Sequence, residues 1–412
     1  MNRVLQFLVA PVMAPMTSCF VLWLLCILQS GQSIAVENPN IVLIVSDDQG
    51  YSDLGYIGIK PIKTPNLDRL ASEGVRATSF YVTWPACTPS RGSLLTGRYP
   101  QRNGLYDMVR NDMVNYGHRF EMDEYAVSPE MTLGLDVREL TLGDMLRPAG
   151  YINGVVGKWD MGQAKRYLPL QRGFDFFYGH GNNGIDYYTH ERYGIPSLFR
   201  GNERTEEDRG TYVTNVFGRE ALAFVKEHVN KRPFFLYLPF NAPHGASTLA
   251  EDNAGKKLGV QAPEEFVAPY RDVVRDEKLA HYYAAVTLMD EEIGRILKAI
   301  EDAGQKENTI VIFLSDNGGS GNDGNEPLRG AKSTMWEGGL RVPFIMRWPD
   351  KLSAGLICNE FLTSLEIAPT LLAATKSDSS EGTHPRRLRY ATGASQRNCF
   401  AAYRNVLATS QR

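Results

Sequence analysis

Residues 41–50 read Ile41-Val42-Leu43-Ile44-Val45 and then Ser46-Asp47-Asp48-Gln49-Gly50. The first five form a continuous apolar run rich in β-branched side chains. Such a run suits a strand covered on both faces, which is the setting of a parallel sheet. The change to acids and glycine is abrupt, so the strand ends there. The same pattern recurs at Thr309-Ile310-Val311-Ile312-Phe313-Leu314, which runs into Ser315-Asp316-Asn317-Gly318-Gly319. Phe234 to Leu238, bracketed by Pro233 and Pro239, reads as a further strand, as do Val342 to Met346 and the short Val155-Val156. Helical patterns lie between them. Thr64 and Pro65 open one with Leu67, Leu70 and Ala71 on a single face and Gly74 as its stop. Others are expected at Thr141 to Leu146, at Val213 to His228 and from about Leu279 to Ala303. In the last, Tyr283, Val286, Ile293, Leu297 and Ile300 keep a three-four spacing. Strands alternating with helices predict an α/β fold, a large mixed but mostly parallel central sheet flanked by helices.

The chain has 412 residues, 43% hydrophobic and 22% charged, enough for one large α/β domain with an appendage or for two to three domains. Its 44 basic and 47 acidic residues leave a charge of −3, without the basic excess of a nucleic-acid-binding protein. The 38 glycines and 22 prolines fit a loop-rich enzyme better than a helical bundle. At the N-terminus, Arg3 precedes an apolar run from Phe20 to Leu28, and Ser33-Ile34-Ala35 then offers small residues to a signal peptidase. Residues 1–35 are therefore expected to be an export signal, placing the mature protein in the periplasm or outside the cell. A retained anchor is the alternative, but the run after Pro15 is short for a span of about 30 Å, so no stable membrane anchor is expected. Two of the five cysteines, Cys19 and Cys26, lie in that segment. Cys87, Cys358 and Cys399 are odd in number and widely spaced, so neither a disulfide framework nor a cysteine zinc site is indicated. From Lys376 a polar linker leads into an arginine-bearing stretch without apolar periodicity. Residues 36–375 are expected to form the folded domain and 376–412 a disordered or divergent tail.

Ligands of an open α/β sheet bind beyond the carboxyl ends of its strands. Asp47, Asp48, Asp316 and Asn317 all follow such ends. Each alone reads as turn chemistry. Together they bring three carboxylates and an amide oxygen to one rim, and that concentration of like charge calls for a cation. Oxygen ligands favour calcium or magnesium. Cys87-Thr88-Pro89-Ser90-Arg91 follows Trp84-Pro85-Ala86 and opens a short helix ending near Gly97. A cysteine at a helix N-terminus sits in a field that favours an anion; a packed structural thiol is the alternative.

These residues resemble those of the type I sulfatases, a family that includes the arylsulfatases and belongs to the alkaline phosphatase superfamily. Cys87-Thr88-Pro89-Ser90-Arg91 has the family's Cys-x-Pro-Ser-Arg form, and Leu95-Thr96-Gly97-Arg98 completes it. The other blocks follow the family's order: Asp47-Asp48, Gly157-Lys158-Trp159, Ala242-Pro243-His244, Asp316-Asn317-Gly318, and Arg329-Gly330-Ala331-Lys332 running to Glu337-Gly338-Gly339. The resemblance spans roughly Pro39 to Thr375.

It implies an alkaline-phosphatase-like fold and a sulfuric ester hydrolase acting on an aryl or carbohydrate sulfate. A formylglycine-generating enzyme would convert Cys87 to formylglycine during export. One calcium ion would be held by Asp47, Asp48, Asp316, Asn317 and residue 87. One hydroxyl of the hydrated aldehyde would attack sulfur, and the second would drive release of sulfate. Arg91 would hold the hydrate, Lys158 and Lys332 would bind sulfate oxygens, and His244 would help to protonate the leaving group. Two features depart from the family. Asp160 stands where histidine usually follows Gly-Lys-Trp, and a carboxylate there can also take a proton during sulfate release. The usual small C-terminal subdomain is expected to be truncated or divergent here, since Lys376 to Arg412 does not look like one. The alternatives are a phosphate or phosphonate monoester hydrolase of the same superfamily, a catalytically impaired glycan-binding relative, and a protein in which Cys87 stays a structural thiol. The stretch from Asp175 through Tyr178 to Asp186-Tyr187-Tyr188-Thr189-His190 is read either as the lining of a sugar or aryl subsite or as a surface loop.

Overall fold

The computed structural model describes residues 38–109, 134–251, 255, 259–321 and 324–375. The expected export segment, the expected tail, and Cys19, Cys26 and Cys399 lie outside these residues.

Ten strands build one sheet: β1 (Asn40–Ser46), β2 (Val75–Ala77), β4 (Ile152–Lys158), β5 (Phe176–His180), β8 (Leu198–Arg200), β9 (Glu203–Arg204), β10 (Phe234–Pro239), β11 (Thr309–Ser315), β12 (Phe344–Arg347) and β13 (Leu356–Cys358). Their order is β13-β2-β12-β11-β1-β10-β4-β5-β8-β9. Two small ribbons stand apart, β3 (Phe80–Tyr81) with β14 (Leu362–Thr363) and the hairpin of β6 (Glu191–Arg192) with β7 (Ile195–Pro196). The centre is parallel: β1 pairs with both β10 and β11, β10 with β4, and β4 with β5. Antiparallel pairs, β11 with β12 and β5 with β8, begin on either side of it. The sheet is therefore mixed and mostly parallel, as expected.

Alternation along β1 explains why its continuous apolar run from Ile41 to Val45 is stable here. Ile41, Leu43 and Val45 enter one core layer, while Val42 and Ile44 enter the other. The first layer packs against helix α2 (Cys87–Thr96) and helix α3 (Leu142–Leu146) through Leu94, Leu95, Leu142 and Leu146. The second packs against α1 (Pro65–Glu73), α4 (Val213–His228) and α5 (Glu277–Asp302) through Leu67, Leu70, Phe217, Phe224, Ile293 and Leu297. Both faces are covered, so β-branched residues bury on each side of the strand.

Local chemistry departs from expectation in three places. Thr64 does not cap α1; its hydroxyl accepts from the Gly55 amide and donates to Asp68. The first turn is capped from α5 instead, where the Asp290 carboxylate accepts from the amides of Asn66 and Leu67 at 3.0 and 2.7 Å. Gly74 is extended rather than left-handed, and a Cβ there would lie 2.4 Å from the Met346 carbonyl oxygen. Close approach of β12, not a helix stop, is what requires glycine. Third, Phe176–His180 is neither subsite nor surface loop but the core strand β5, and Tyr187 is buried beneath it in the same layer as Tyr178.

Candidate active site

The parallel register sets the acids side by side. Ser46 pairs with Ser315 at the last rung of β1 and β11, so Asp47 and Asp316 leave adjacent strand ends. The Asp316 amide donates to the Ser46 carbonyl, and the Asp48 amide donates to the Asp316 carboxylate at 3.1 Å. The Asp47 amide donates to the carbonyl of Ala242 in the loop after β10, which carries His244. Lys158 is the last residue of β4. Gly157 before it has φ of 123°, and a Cβ there would lie 1.8 Å from the Pro239 carbonyl oxygen, so only glycine lets β4 and β10 approach at this rung. The Lys332 amide donates to the Gly319 carbonyl and the next amide, of Ser333, to the Pro85 carbonyl. These two bonds tie the Lys332 loop to the Asn317 loop on one side and to the approach to Cys87 on the other.

The side chains converge. The Cys87 thiol lies 3.6 Å from Asp47 Oδ1, 3.8 Å from Asp48 Oδ1 and 3.0 Å from Lys332 Nζ. Lys158 Nζ holds both oxygens of Asp47 at 2.9 and 2.7 Å, and Lys332 Nζ holds both oxygens of Asp48 at 2.7 and 2.9 Å. Arg91 grips Asp316 Oδ2 through Nε at 2.9 Å and Nη2 at 2.6 Å, and donates to the Lys158 carbonyl. Its hydrogen bonds thus run to the acid cluster and to β4, one turn of α2 below Cys87. His244 Nδ1 lies 2.6 Å from the Gly245 carbonyl oxygen, which can only accept, so Nδ1 carries the hydrogen; Nε2 stands 3.8 Å from Asp48. Every residue selected from the sequence is brought into this one region. Asp48 and Asp160 have left-handed φ of 63° and 54°, strain that non-glycine residues tolerate where the surroundings enforce it.

Burial dominates the electrostatics. It pushes the Asp47 carboxyl up to about 8, against the pull of Lys158 and with the help of Asp316. At Asp48 and Asp316 burial is again the largest single influence and acts the same way, but the combined pull of the neighbouring cations, led by Lys332 at Asp48 and by Arg91 at Asp316 with Lys158 adding to both, exceeds it and holds both acids below the usual range. Burial pushes the Cys87 thiol well up despite the two lysines, so an unmodified thiol here stays protonated at neutral pH. Burial also lowers the His244 imidazole to about 3, Asp48 opposing and both lysines assisting. Asp160 is buried and raised; its Oδ2 stands 3.8 Å from Lys158 Nζ, the Thr88 hydroxyl interacts weakly with it, and neither oxygen has a well-formed hydrogen bond.

Two observations test the cluster for a cation. One ligand atom from each of Asp47, Asp48, Cys87 and His244 lies within 4.8 Å of the others. Asn317 Oδ1 is buried without a hydrogen-bond partner at the same rim. Crowded carboxylates with an unused amide oxygen fit a divalent ion that prefers oxygen.

A cavity of about 460 Å³ opens over Cys87, lined by Trp84, Asn183, Arg192, Tyr193, His244 and Ser247 among others. Sequence reading missed Arg192, Asn183 and Ser247. The aromatic stretch around Asp186 was the one signal for them, but its Tyr187 acts beneath the site. Its hydroxyl donates to the carbonyls of His244 and Asn241 at 2.8 and 3.3 Å, bracing the histidine loop.

The model of the family described as Sulfatase matches residues 39–377. Arylsulfatase J of Mus musculus is 32% identical over 354 residues, 84% of this chain and 54% of that protein. N-acetylgalactosamine-6-sulfatase of Canis lupus familiaris is 34% identical over 384 residues, 88% of this chain and 67% of that protein. The chain thus spans between half and about two thirds of these relatives. Among solved structures, Ps i-CgsB in complex with k-i-k-neocarrahexaose superposes with a TM-score of 0.71 at 31% identity, covering 84% of this chain and 73% of that one.

Proposed function

The chain belongs to the sulfatase family, and from that premise we propose that it hydrolyses sulfuric esters of aryl or carbohydrate alcohols after conversion of Cys87 to formylglycine. The observation that carries this reading is the placement of Cys87 Sγ, 3.0 Å from Lys332 Nζ and within 3.8 Å of two carboxylates. A nucleophile for an anionic ester needs cations beside it, and the crowded acids with the unused Asn317 amide oxygen offer oxygen ligands to a divalent ion.

A calcium ion would be held by Asp47, Asp48, Asp316, Asn317 and residue 87, and would supply a Lewis acid that favours the ionised form of a hydroxyl at that residue. As an aldehyde hydrate, residue 87 supplies two hydroxyls, one to accept the sulfuryl group and one whose deprotonation expels it. Lys332 is within reach of sulfuryl oxygens at residue 87 and takes up their charge. Lys158 does the same from the Asp47 side. Arg91 is a positioning residue, fixing Asp316 and the end of β4. His244, with Nδ1 committed to Gly245, directs Nε2 into the site; the negative charge of a bound ester offsets the lysines and favours the protonated ring that donates to the leaving oxygen. Asp160, raised by burial, receives the proton given up at sulfate release.

Export to the periplasm or beyond, and maturation by a formylglycine-generating enzyme, accompany this reading. Among the described residues no helix is long and apolar enough to cross a membrane. The carbohydrate option is supported by the neocarrahexaose in complex with Ps i-CgsB and by the sugar in the name of the canine relative.

The test is sulfate release from aryl and glycan sulfates by wild type and Cys87→Ala, each co-expressed with the converting enzyme. Release by wild type alone supports the reading; equal release by both removes the mechanism. Mass spectrometry of the peptide spanning Phe80 to Arg91 reports conversion directly. Parallel assays on an aryl phosphate and a phosphonate monoester separate the superfamily's other reactions, since two lysines and one divalent ion suit the lower charge of sulfate. Binding without release from a converted protein would instead support the glycan-binding alternative.

A further inference from the structure

Asp47 and Asp48 are neighbours in the chain, and neighbouring side chains of an extended strand point to opposite faces of the sheet. Here both reach one atom: Asp47 Oδ1 and Asp48 Oδ1 lie 3.6 and 3.8 Å from the Cys87 thiol. The left-handed φ of 63° at Asp48 turns the second acid back toward the first. A residue other than glycine holds that conformation at a cost, so its surroundings must enforce it.

The enforcement can be followed amide by amide. The Asp47 amide donates to the Ala242 carbonyl, the Asp48 amide to the Asp316 carboxylate and the Gln49 amide to the Ser315 hydroxyl at 3.1 Å. These three acceptors lie at or just beyond the ends of β10 and β11, within the site itself. The fourth amide, of Gly50, is held by two side chains that the proposed chemistry leaves unused. It donates to Asp53 Oδ2 at 3.0 Å, and Asp53 Oδ2 also accepts from the Tyr282 hydroxyl of α5 at 2.7 Å. The Tyr282 oxygen is 3.4 Å from the Gly50 amide nitrogen, so amide, carboxyl and phenol close into one ring of contacts.

This clamp is itself anchored. Asp53 is fully buried; its amide donates to the Gly50 carbonyl at 3.2 Å and its carbonyl accepts from Gln49 Nε2 at 2.6 Å. Lys60 Nζ stands 3.4 Å from Asp53 Oδ1. Burial raises the Asp53 carboxyl, with Lys60, Tyr282 and Gly50 opposing. Both bonds to Oδ2 need only an acceptor there, so the clamp survives a proton on Oδ1. A Cβ at Gly50 would lie 1.9 Å from the Gly324 carbonyl oxygen, which also accepts from the Ser52 amide at 3.1 Å. The turn that follows Asp48 is thus packed against the Gly324 loop as well as against α5.

We propose that Asp53 and Tyr282 are positioning residues of the ion site: by fixing the Gly50 end of the turn they hold Asp48 left-handed, with its carboxylate beside Asp47 and Cys87. This rests on the reading of the acid cluster as a calcium site and deepens it. Apparent affinity for the ion falls in proportion to the fraction of molecules in which Asp48 is already turned into place.

Calcium itself is the probe, titrated by calorimetry into protein co-expressed with the converting enzyme. Tyr282→Phe keeps the ring and removes the hydroxyl; Asp53→Ala removes the acceptor. Asp290→Ala, further along α5 and bonded to α1 instead, is the control for a loss of stability alone, and thermal melts record that loss in each variant. Tyr282→Phe should weaken calcium binding about three- to tenfold. Asp53→Ala should weaken it about tenfold or more, while Asp290→Ala stays within about twofold of wild type. Wild-type affinity in both turn variants overturns the proposal, and so does an equal weakening in Asp290→Ala, which would make the effect one of stability. Crystal structures of wild type and both turn variants separate the proposal from the calcium reading. If the wild type binds no calcium, that reading fails and the proposal is judged on Asp48 alone. A φ outside the left-handed region in the variants, with loss of the contact to Lys332, supports it; an unchanged Asp48 overturns it.

Discussion

Asp290 offers a test of the fold that is independent of the reaction. Its carboxylate projects from the middle of α5 and accepts from the Asn66 and Leu67 amides and from Asn66 Nδ2 at 2.9 Å. Burial raises its pKa from 3.8 to about 6, the three donors pulling the other way. Between about pH 4 and 6 the folded protein therefore keeps a proton that the unfolded chain has lost. The folded state binds more protons, so stability falls as pH rises through that window. It is flat below the unfolded value and flat again above 6. At 1.36 kcal/mol per pH step the change amounts to about 3 kcal/mol at most. Asp290→Asn keeps the shape and a carbonyl acceptor but cannot titrate. Urea unfolding of wild type and Asp290→Asn from pH 4 to 7 should show the wild type losing up to about 3 kcal/mol relative to the variant. Asp290→Ala, which orphans two helix-terminal amides, should cost about 2–4 kcal/mol near pH 4, a difference that narrows toward pH 7 as the wild type itself loses stability. Parallel wild-type and Asp290→Asn profiles, or an Asp290→Ala protein as stable as wild type at pH 4, would refute the assignment of this carboxylate as the buried cap of α1.

The two lysines should separate stability from rate. Lys158 and Asp47 are fully buried, whereas the Lys332 side chain is 19% exposed. Lys158→Met should cost about 3–5 kcal/mol in urea unfolding and Lys332→Met less, about 1–3 kcal/mol, since Asp48 is buried but water reaches the Lys332 side of the pair, while each lowers kcat/KM for an aryl sulfate about 100-fold or more; equal stability losses would contradict the burial argument. Calcium at 100 times its dissociation constant should raise stability by about 2.7 kcal/mol. Thermal melts with calcium and with chelator check this, and Asn317→Ala should shrink the difference. Gly157→Ala should give insoluble or unfolded protein, because its Cβ would lie 1.8 Å from a backbone oxygen of β10; a folded variant with wild-type melting would show that the two strands can part at that rung.

Much of the site was legible because its chemistry is written in contiguous blocks. An apolar run that stops at Asp47-Asp48, another that stops at Asp316-Asn317, and a cysteine opening a helix can each be read within ten residues. Parallel pairing then brings the strand ends to one rim without further information. The expected helix cap at Thr64 failed for the opposite reason. Its replacement, Asp290, is 224 residues away from Asn66, and no local pattern marks it. Gly74 does follow the end of its helix as expected, but a neighbouring strand rather than a left-handed cap explains why glycine stands there.

Local order along the chain was enough to dictate the α/β layering, the acid-tipped strands and the position of Cys87, because hydrophobic period and turn chemistry act over a few residues. Which lysine neutralises which acid, the grip of Arg91 on Asp316, the buried left-handed Asp160 and the entry of Arg192 into the cavity were decided only when distant segments packed. Those outcomes depend on the strand order and on burial, which sets the cost of every unpaired charge, and neither quantity exists until the sheet has closed around them.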